Sequence, residues 1–340
     1  MPHAASLPTE FDPALSRGAA NAIHVCLRLK SYERMTLITD RASAEIAAAL
    51  VAEVEKTGAA YNVFLLEEYG PRPHRDLPAT ILEDLAHANV SIYACLAQDG
   101  ELPARLQMME VVTPHHIRHG HMVNINKQIM LEGMVADFQL VDRLSQTLIE
   151  KCRGARRMTC RTDTGTDYVA EFSPALQWVK ASGLITPEKW GHLPDGKIFT
   201  SPFNSHGRYV VDGIIGGSFC QKYGDLRATP LTLDIQDNRL AGLACANQEL
   251  RKEFEACCAA DENSARVGEF ALGTNLACTR LIGHPLQDGK FPGVHLAFGH
   301  PCPEQTGQTW RSATRLGCVG RDFDLWLDDE QIMAKGNYLL

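Results

Sequence analysis

The sequence predicts two domains, a parallel α/β unit followed by a strand-rich α+β unit. Three observations carry this expectation. The chain is 340 residues long, and domains of about 100–200 residues are the common size. Strand-type and helix-type periodicities alternate over residues 36–96. The texture changes near Gly154, after which short apolar runs are separated by Gly, Pro and Asp turns. The expected domains are residues 1–154, α/β with a helical connection, and 155–340, α+β and carrying the candidate site.

The elements follow in order. Residues 1–20 read as a loose leader. Residues 36–40 form a short β-type run closed by Asp40. Over 42–56, Ile46, Ala49, Leu50 and Val54 share one helical face, and Gly58 is a stop signal. A second strand at 61–66, a helix at 82–88 and a third strand at 90–96 complete a small parallel sheet. Residues 121–152 read as mostly helical, with Ile125, Ile129, Met130, Met134, Phe138, Val141, Leu144 and Leu148 near helical spacing. Beyond the boundary, 158–161, 168–172, 198–200, 209–212, 231–235 and 240–244 read as short strands, and 248–259 as a helix. Late strands are expected at 293–298 and 324–327. Gly165-Thr-Asp167 reads as a turn with a hydrogen-bonding aspartate.

Composition narrows the function classes. With 45% hydrophobic and 22% charged residues the chain is globular. The net charge of -8 supplies no global basic field for nucleic acid or anionic lipid. No apolar run reaches the roughly 18 residues that span a bilayer. The 11 cysteines include no CxxC, and adjacent Cys257 and Cys258 point apart on a helix. They read as reduced, mostly buried small hydrophobes, and with no signal-peptide pattern at the start this implies a cytoplasmic protein.

Motifs are sparse. His115, His116, His119 and His121 cluster just after Pro114. They could bind a metal, lie in an exposed connecting segment, or, with Arg118, contact a substrate. Gly213, Gly216 and Gly217 are not followed by a Lys-Ser/Thr pair, and neither GxGxxG nor GxSxG occurs. The informative segments come late: Leu193-Pro-Asp-Gly-Lys-Ile-Phe-Thr-Ser-Pro202, Gly268-Glu-Phe-Ala-Leu-Gly-Thr-Asn275, Gly293-Val-His-Leu-Ala-Phe-Gly299 and Gly307-Gln-Thr-Trp-Arg-Ser-Ala-Thr-Arg-Leu-Gly317. Taken in this order, they resemble the M29 family of metallo-aminopeptidases over nearly the whole chain. The related 2,5-dihydroxypyridine dioxygenases are similar also at Trp190-Gly-His192.

The resemblance implies a two-domain fold with a cleft, and a homodimer. It implies five metal-ligand positions, which here hold Lys197, Glu269, His295, Arg315 and Gly317. The family's residues there are Glu, Glu, His, His and Asp. The dioxygenases place iron on a His at the Glu269 position and on the late His and Asp. Lysine and arginine repel a divalent cation, so no cofactor is expected; a metal, if present, would use Glu269 and His295.

Three readings follow. In the first, the protein is a metal-independent, hydrolase-like enzyme acting at a C–N or carbonyl centre of a small anionic substrate. Lys197 and Arg315 then hold substrate charge, Glu269 and His295 form an acid/base pair, and His192, Trp190, Arg118, His119 and His121 contact the substrate. In the second, it is a metal-dependent aminopeptidase, or a ring-cleaving dioxygenase of N-heteroaromatics, with shifted ligands. In the third, it is a non-catalytic binding protein on the same fold. An open pocket shared by Lys197, Arg315, Glu269 and His295 favours the first; a closed, fully paired cluster favours the third.

Overall fold

The computed structural model describes residues 6–340. The chain forms two compact units, one of residues 1–139 and 183–195, the other of 140–182 and 196–340. The division falls near the start of the Phe138–Gly154 helix, whereas Gly154 marks its end. Leu148, Ile149 and Cys152 explain this, because they are buried in the core of the second unit.

The first unit is built on a parallel five-stranded sheet in the order Ala60–Leu65, Arg34–Thr39, Val90–Ala94, Arg118–His121 and Gly191–His192. The Ala44–Thr57 helix ends at Gly58, whose φ of 74° is the left-handed stop glycine readily adopts. The expected loose leader is largely folded. Residues 1–5 lie outside the described residues, but Asp12 caps Ala14 and helical turns run from Pro13 to Cys26. Leu15, Ala19, Ala22, Ile23 and Cys26 are fully buried there. The expected helix at 121–152 is broken as well. His121 ends a strand, and helix resumes at Lys127–Leu131, Gly133–Val135 and Phe138–Gly154.

A buried arginine braces the strand ends of this unit. Arg72 donates from Nε to Glu101 at 2.7 Å, from Nη1 to Asp40 and from Nη2 to the Leu96 carbonyl. Asp40 and Glu101 are themselves buried. Removing one partner of such a network leaves charges stranded out of water, which costs about 3–5 kcal/mol. We therefore expect Arg72→Met to lower unfolding free energy by about that much in urea titrations. A loss within about 0.5 kcal/mol, typical of a surface substitution, would contradict this account.

The second unit contains two antiparallel sheets. The eight-stranded sheet runs Arg239–Ala244, Leu231–Gln236, Asn204–Val211, Asp167–Glu171, Arg157–Arg161, Asp324–Leu327, Glu330–Ala334 and Asn337–Tyr338. The five-stranded sheet runs Arg315–Val319, Gly293–Gly299, Val267–Gly273, Lys197–Thr200 and Val179–Ala181. One core joins them: Tyr168 and Tyr209 from the first sheet meet Phe270, Leu296 and Phe298 from the second, with Phe254 of the Gln248–Cys258 helix. All eleven cysteines are free thiols, eight of them buried. Among the described residues no helix is long and apolar enough to cross a membrane.

Candidate functional site

The five-stranded sheet of the second unit assembles the site by strand alternation. Side chains two apart share a face, and Ile198, Phe270, Leu272, Leu296, Phe298 and Cys318 point into the core. The alternate positions therefore share the opposite face. Register places Glu269 opposite Ala297, and Ala297 opposite Gly317. It places Ala271 opposite both His295 and Phe199, Gly273 opposite Lys197, and Gly299 opposite Arg315. Lys197, Glu269, His295 and Arg315 thus ring a floor of small residues, Ala271, Ala297 and Gly317.

Glycine at 268 makes this possible. A bulge interrupts the register between Val267 and Glu269, and bulges re-aim the side chains beside them. A Cβ on Gly268 would lie 1.9 Å from the Gly299 carbonyl oxygen, so no other residue fits this close strand approach.

Glu269 is 5% exposed and holds both cations. Lys197 Nζ donates to its Oε1 at 2.7 Å, and Arg315 Nη2 donates to its Oε2. Burial alone would raise the Glu269 carboxyl, but Arg315 and Lys197 beside it hold its pKa down at about 2. Lys197 also lies 4.7 Å from the centre of the Phe199 ring, a contact that favours a cation. Lys197 is 16% exposed at its side chain, Arg315 44%.

His295 differs from the other three. Its Nε2 lies 2.7 Å from the Phe291 carbonyl oxygen. A carbonyl only accepts, so Nε2 carries the proton and Nδ1 the lone pair. That Nδ1 is buried and has no hydrogen-bond partner among the described residues. Burial pushes the His295 pKa down to about 4; the Phe291 bond opposes the shift, and Lys197 and Lys290 add to it. The ring is neutral at pH 7.

All four side chains line one cavity of about 190 Å³, together with Gly216 and Gly317. These residues do not make a divalent-metal centre. Both Glu269 oxygens are taken by cations, leaving His295 Nδ1 as the one unpartnered lone pair among the four side chains that could ligate a metal. Among the described residues no three His, Cys, Asp or Glu side chains are grouped to hold a metal ion.

The other candidate residues lie in the first unit. His119 and His121 occupy a buried strand, not an exposed connecting segment. Ser91 Oγ lies 2.8 Å from His119 Nδ1, and His119 Nε2 lies 3.1 Å from His121 Nδ1. His121 stacks on Tyr93, and Trp190 and His192 meet it edge-on with centroids at 5.8 and 5.4 Å. Burial keeps both imidazoles neutral, with the His121 pKa at about 3. His115 and His116 are exposed and stay outside this group, so the four histidines do not converge on a metal. Arg118 donates to both oxygens of Glu33 and to the Leu27 carbonyl, contacts that brace its strand.

Sequence reasoning missed Gly216, Lys290 and the Phe291 carbonyl. The glycine cluster at 213–217 was a visible signal, although it is no phosphate loop. Nothing in a sequence marks a carbonyl that fixes an imidazole tautomer.

Comparison with known proteins establishes the fold. No protein-family model matches the chain. No curated protein matches it either. Among solved structures, AmpT from Thermus thermophilus has a TM-score of 0.73 at 16% identity, over 97% of this chain and 100% of that one. A 2,5-dihydroxypyridine dioxygenase from Pseudomonas putida KT2440 has a TM-score of 0.69 at 15% identity, with 96% of each chain covered. The mixed helix-and-sheet fold that the late motifs implied is the fold found.

Proposed function

We propose that the chain is a metal-independent, hydrolase-like enzyme acting at a carbonyl or C–N centre of a small anionic substrate. One observation carries this reading: two cations and a neutral imidazole line one cavity, and the imidazole Nδ1 is buried with no hydrogen-bond partner. Lys197 and Arg315 hold a substrate carboxylate or a developing oxyanion. His295 is the general base. It takes a proton from water at Nδ1 as the water oxygen bonds to the carbonyl carbon. The C–N bond then breaks, and Nδ1 returns the proton to the leaving nitrogen. An anion bound beside the imidazole stabilises its protonated form and so strengthens the base.

Glu269 is not the proton-transfer partner expected from the sequence. At a pKa of about 2 it carries no proton to donate at neutral pH and is a weak base. Its work is to position both cations. That pairing also favours a second reading, a binding protein without chemistry. A cytoplasmic homodimer belongs to the proposal too, from the reduced thiols and the motif resemblance.

Turnover separates these readings. Untagged protein, exhaustively chelated, is assayed against small amides and N-acyl acids. Activity should survive chelation, and His295→Gln should lower kcat by about 10²–10⁴-fold. The kcat/KM profile should rise through pH 4 and stay level at neutrality, because the free enzyme's base titrates at about 4. Activity lost on chelation and restored by zinc, cobalt or iron would overturn metal independence. Binding without turnover would leave the second reading.

A further inference from the structure

We propose that the space over Gly317 is a carboxylate subsite, and that the substrate is a small acid with an N–H or O–H on the atom next to its carboxyl carbon. This rests on the anionic-substrate reading and names its chemistry.

Four observations meet here. A Cβ built on Gly317 has no neighbour within 4 Å, so open space lies above the strand at a position lining the cavity. Arg315 is two residues away on the same face, and Glu269 accepts from its Nη2. A guanidinium carries five N–H donors, so it has capacity for a second carboxylate. Lys197 and Arg315 set against Glu269 leave one positive charge on the ring. A carboxylate offsets it; Lys290 also lines the cavity.

His295 sets the other half of the ligand. It lies diagonally across from Gly317, through the Ala297 pairing, a relation that puts side chains within reach of one bound molecule. Its unpartnered Nδ1 can only accept, and a carboxylate cannot donate. A ligand that pairs with this atom must therefore bring its own N–H or O–H, a short distance from its carboxylate, and the ring must turn slightly to present Nδ1, which has almost no accessible surface as it stands. A lone pair left unsatisfied in a buried site discriminates against analogues that lack this donor.

Size agrees with these demands. A cavity of about 190 Å³ is comparable with the ~150 Å³ engineered cavity that binds benzene, a ligand of about six heavy atoms. Short α-hydroxy acids and N-acyl α-amino acids are of this scale. In an N-acyl amino acid the N–H beside the carboxylate belongs to the scissile C–N bond. For hydrolysis a water must first replace that N–H at Nδ1, whose single lone pair serves one partner at a time; Nδ1 then returns the proton to the same nitrogen.

The test uses the full chain, ligand-observed NMR and four probes: lactate, N-acetylglycine, propionate and lactamide. Lactate and N-acetylglycine should bind. Propionate, which keeps the carboxylate and lacks the donor, should bind at least tenfold more weakly. Lactamide, which keeps the hydroxyl and lacks the charge, should do the same. Gly317→Asp places a carboxylate of the protein's own in the subsite and should abolish lactate binding with little change in Tm. If that variant does not fold, Gly317→Ala should still weaken lactate at least tenfold. His295→Phe should erase the preference for lactate over propionate. Equal binding of lactate and propionate, or wild-type binding by the Gly317 variant that folds, overturns the subsite while anion binding stands. No binding of any carboxylate probe, nor of formate or phosphate, overturns the anionic-substrate reading together with it.

Discussion

Changing Lys197 to Glu, Arg315 to His and Gly317 to Asp together should turn the cavity into a divalent-metal site. The present set of Lys197, Arg315 and Glu269 carries one net positive charge, which repels a cation before any geometry is considered. The triple variant presents three carboxylates and two imidazoles on the same sheet face. Its net charge is complementary to two divalent ions, and imidazole with carboxylate is a donor set that suits zinc or cobalt. Gly317 accepts the new side chain without a clash, since a Cβ there has open space. Elemental analysis and titration calorimetry should show about two zinc or cobalt ions per variant chain and no stoichiometric uptake by the wild type. Equal uptake by both proteins would mean that the cations do not govern the site. A metal-binding variant that loses lactate affinity would also link the cation pair to anion binding.

The sequence made the first unit's centre legible and its edges obscure. The strands near 36 and 61 and the helix near 44 follow ordinary periodicity. The Leu102–Val112 helix does not, because Leu102 and Leu106 are exposed while Ala104, Met108 and Val112 are buried. Apolar residues around much of the helix leave no stripe to recognise. The Arg118–His121 strand reads as a polar loop, since its buried imidazoles satisfy each other and Ser91.

The candidate site was legible through motif, not through pattern. Val267–Gly273 and Gly293–Gly299 are buried on both faces. Charged Glu269 and neutral but polar His295 therefore sit where a strand position buried on both faces usually carries an aliphatic residue. Strand alternation places them together once the register is known, but the Gly268 bulge shifts that register by one residue. No count along the chain recovers such a shift. Nor does the sequence say that Glu269 is paired with two cations.

Glu269→Gln should be among the most destabilising single changes in the second unit, by about 3–5 kcal/mol at pH 7. It leaves Lys197 and Arg315 facing each other across a neutral amide in a buried site. The two cations are not equivalent. Lys197 is mostly buried and Arg315 is nearly half exposed, so solvent screens the Arg315 pair more. Lys197→Met should accordingly cost more than Arg315→Met. The pH dependence has a fixed sign. The Glu269 carboxyl has a folded pKa of about 2 against 4.5 for an unperturbed glutamate side chain. Its contribution is therefore fully present above pH 4.5 and is lost as pH falls toward 2. That shift corresponds to a contribution on the order of 3 kcal/mol. Urea titrations should show wild type and Glu269→Gln far apart at pH 7 and converging as pH falls below 4. A gap that stays constant with pH would mean that the ion pairs are not its source. Replacing Lys197, Glu269 and Arg315 together by Met, Gln and Met should recover much of the loss, because the cost lies in unpaired buried charge, not in the absence of the pairs. Stability recovered without anion binding would then show that these charges serve the ligand rather than the fold.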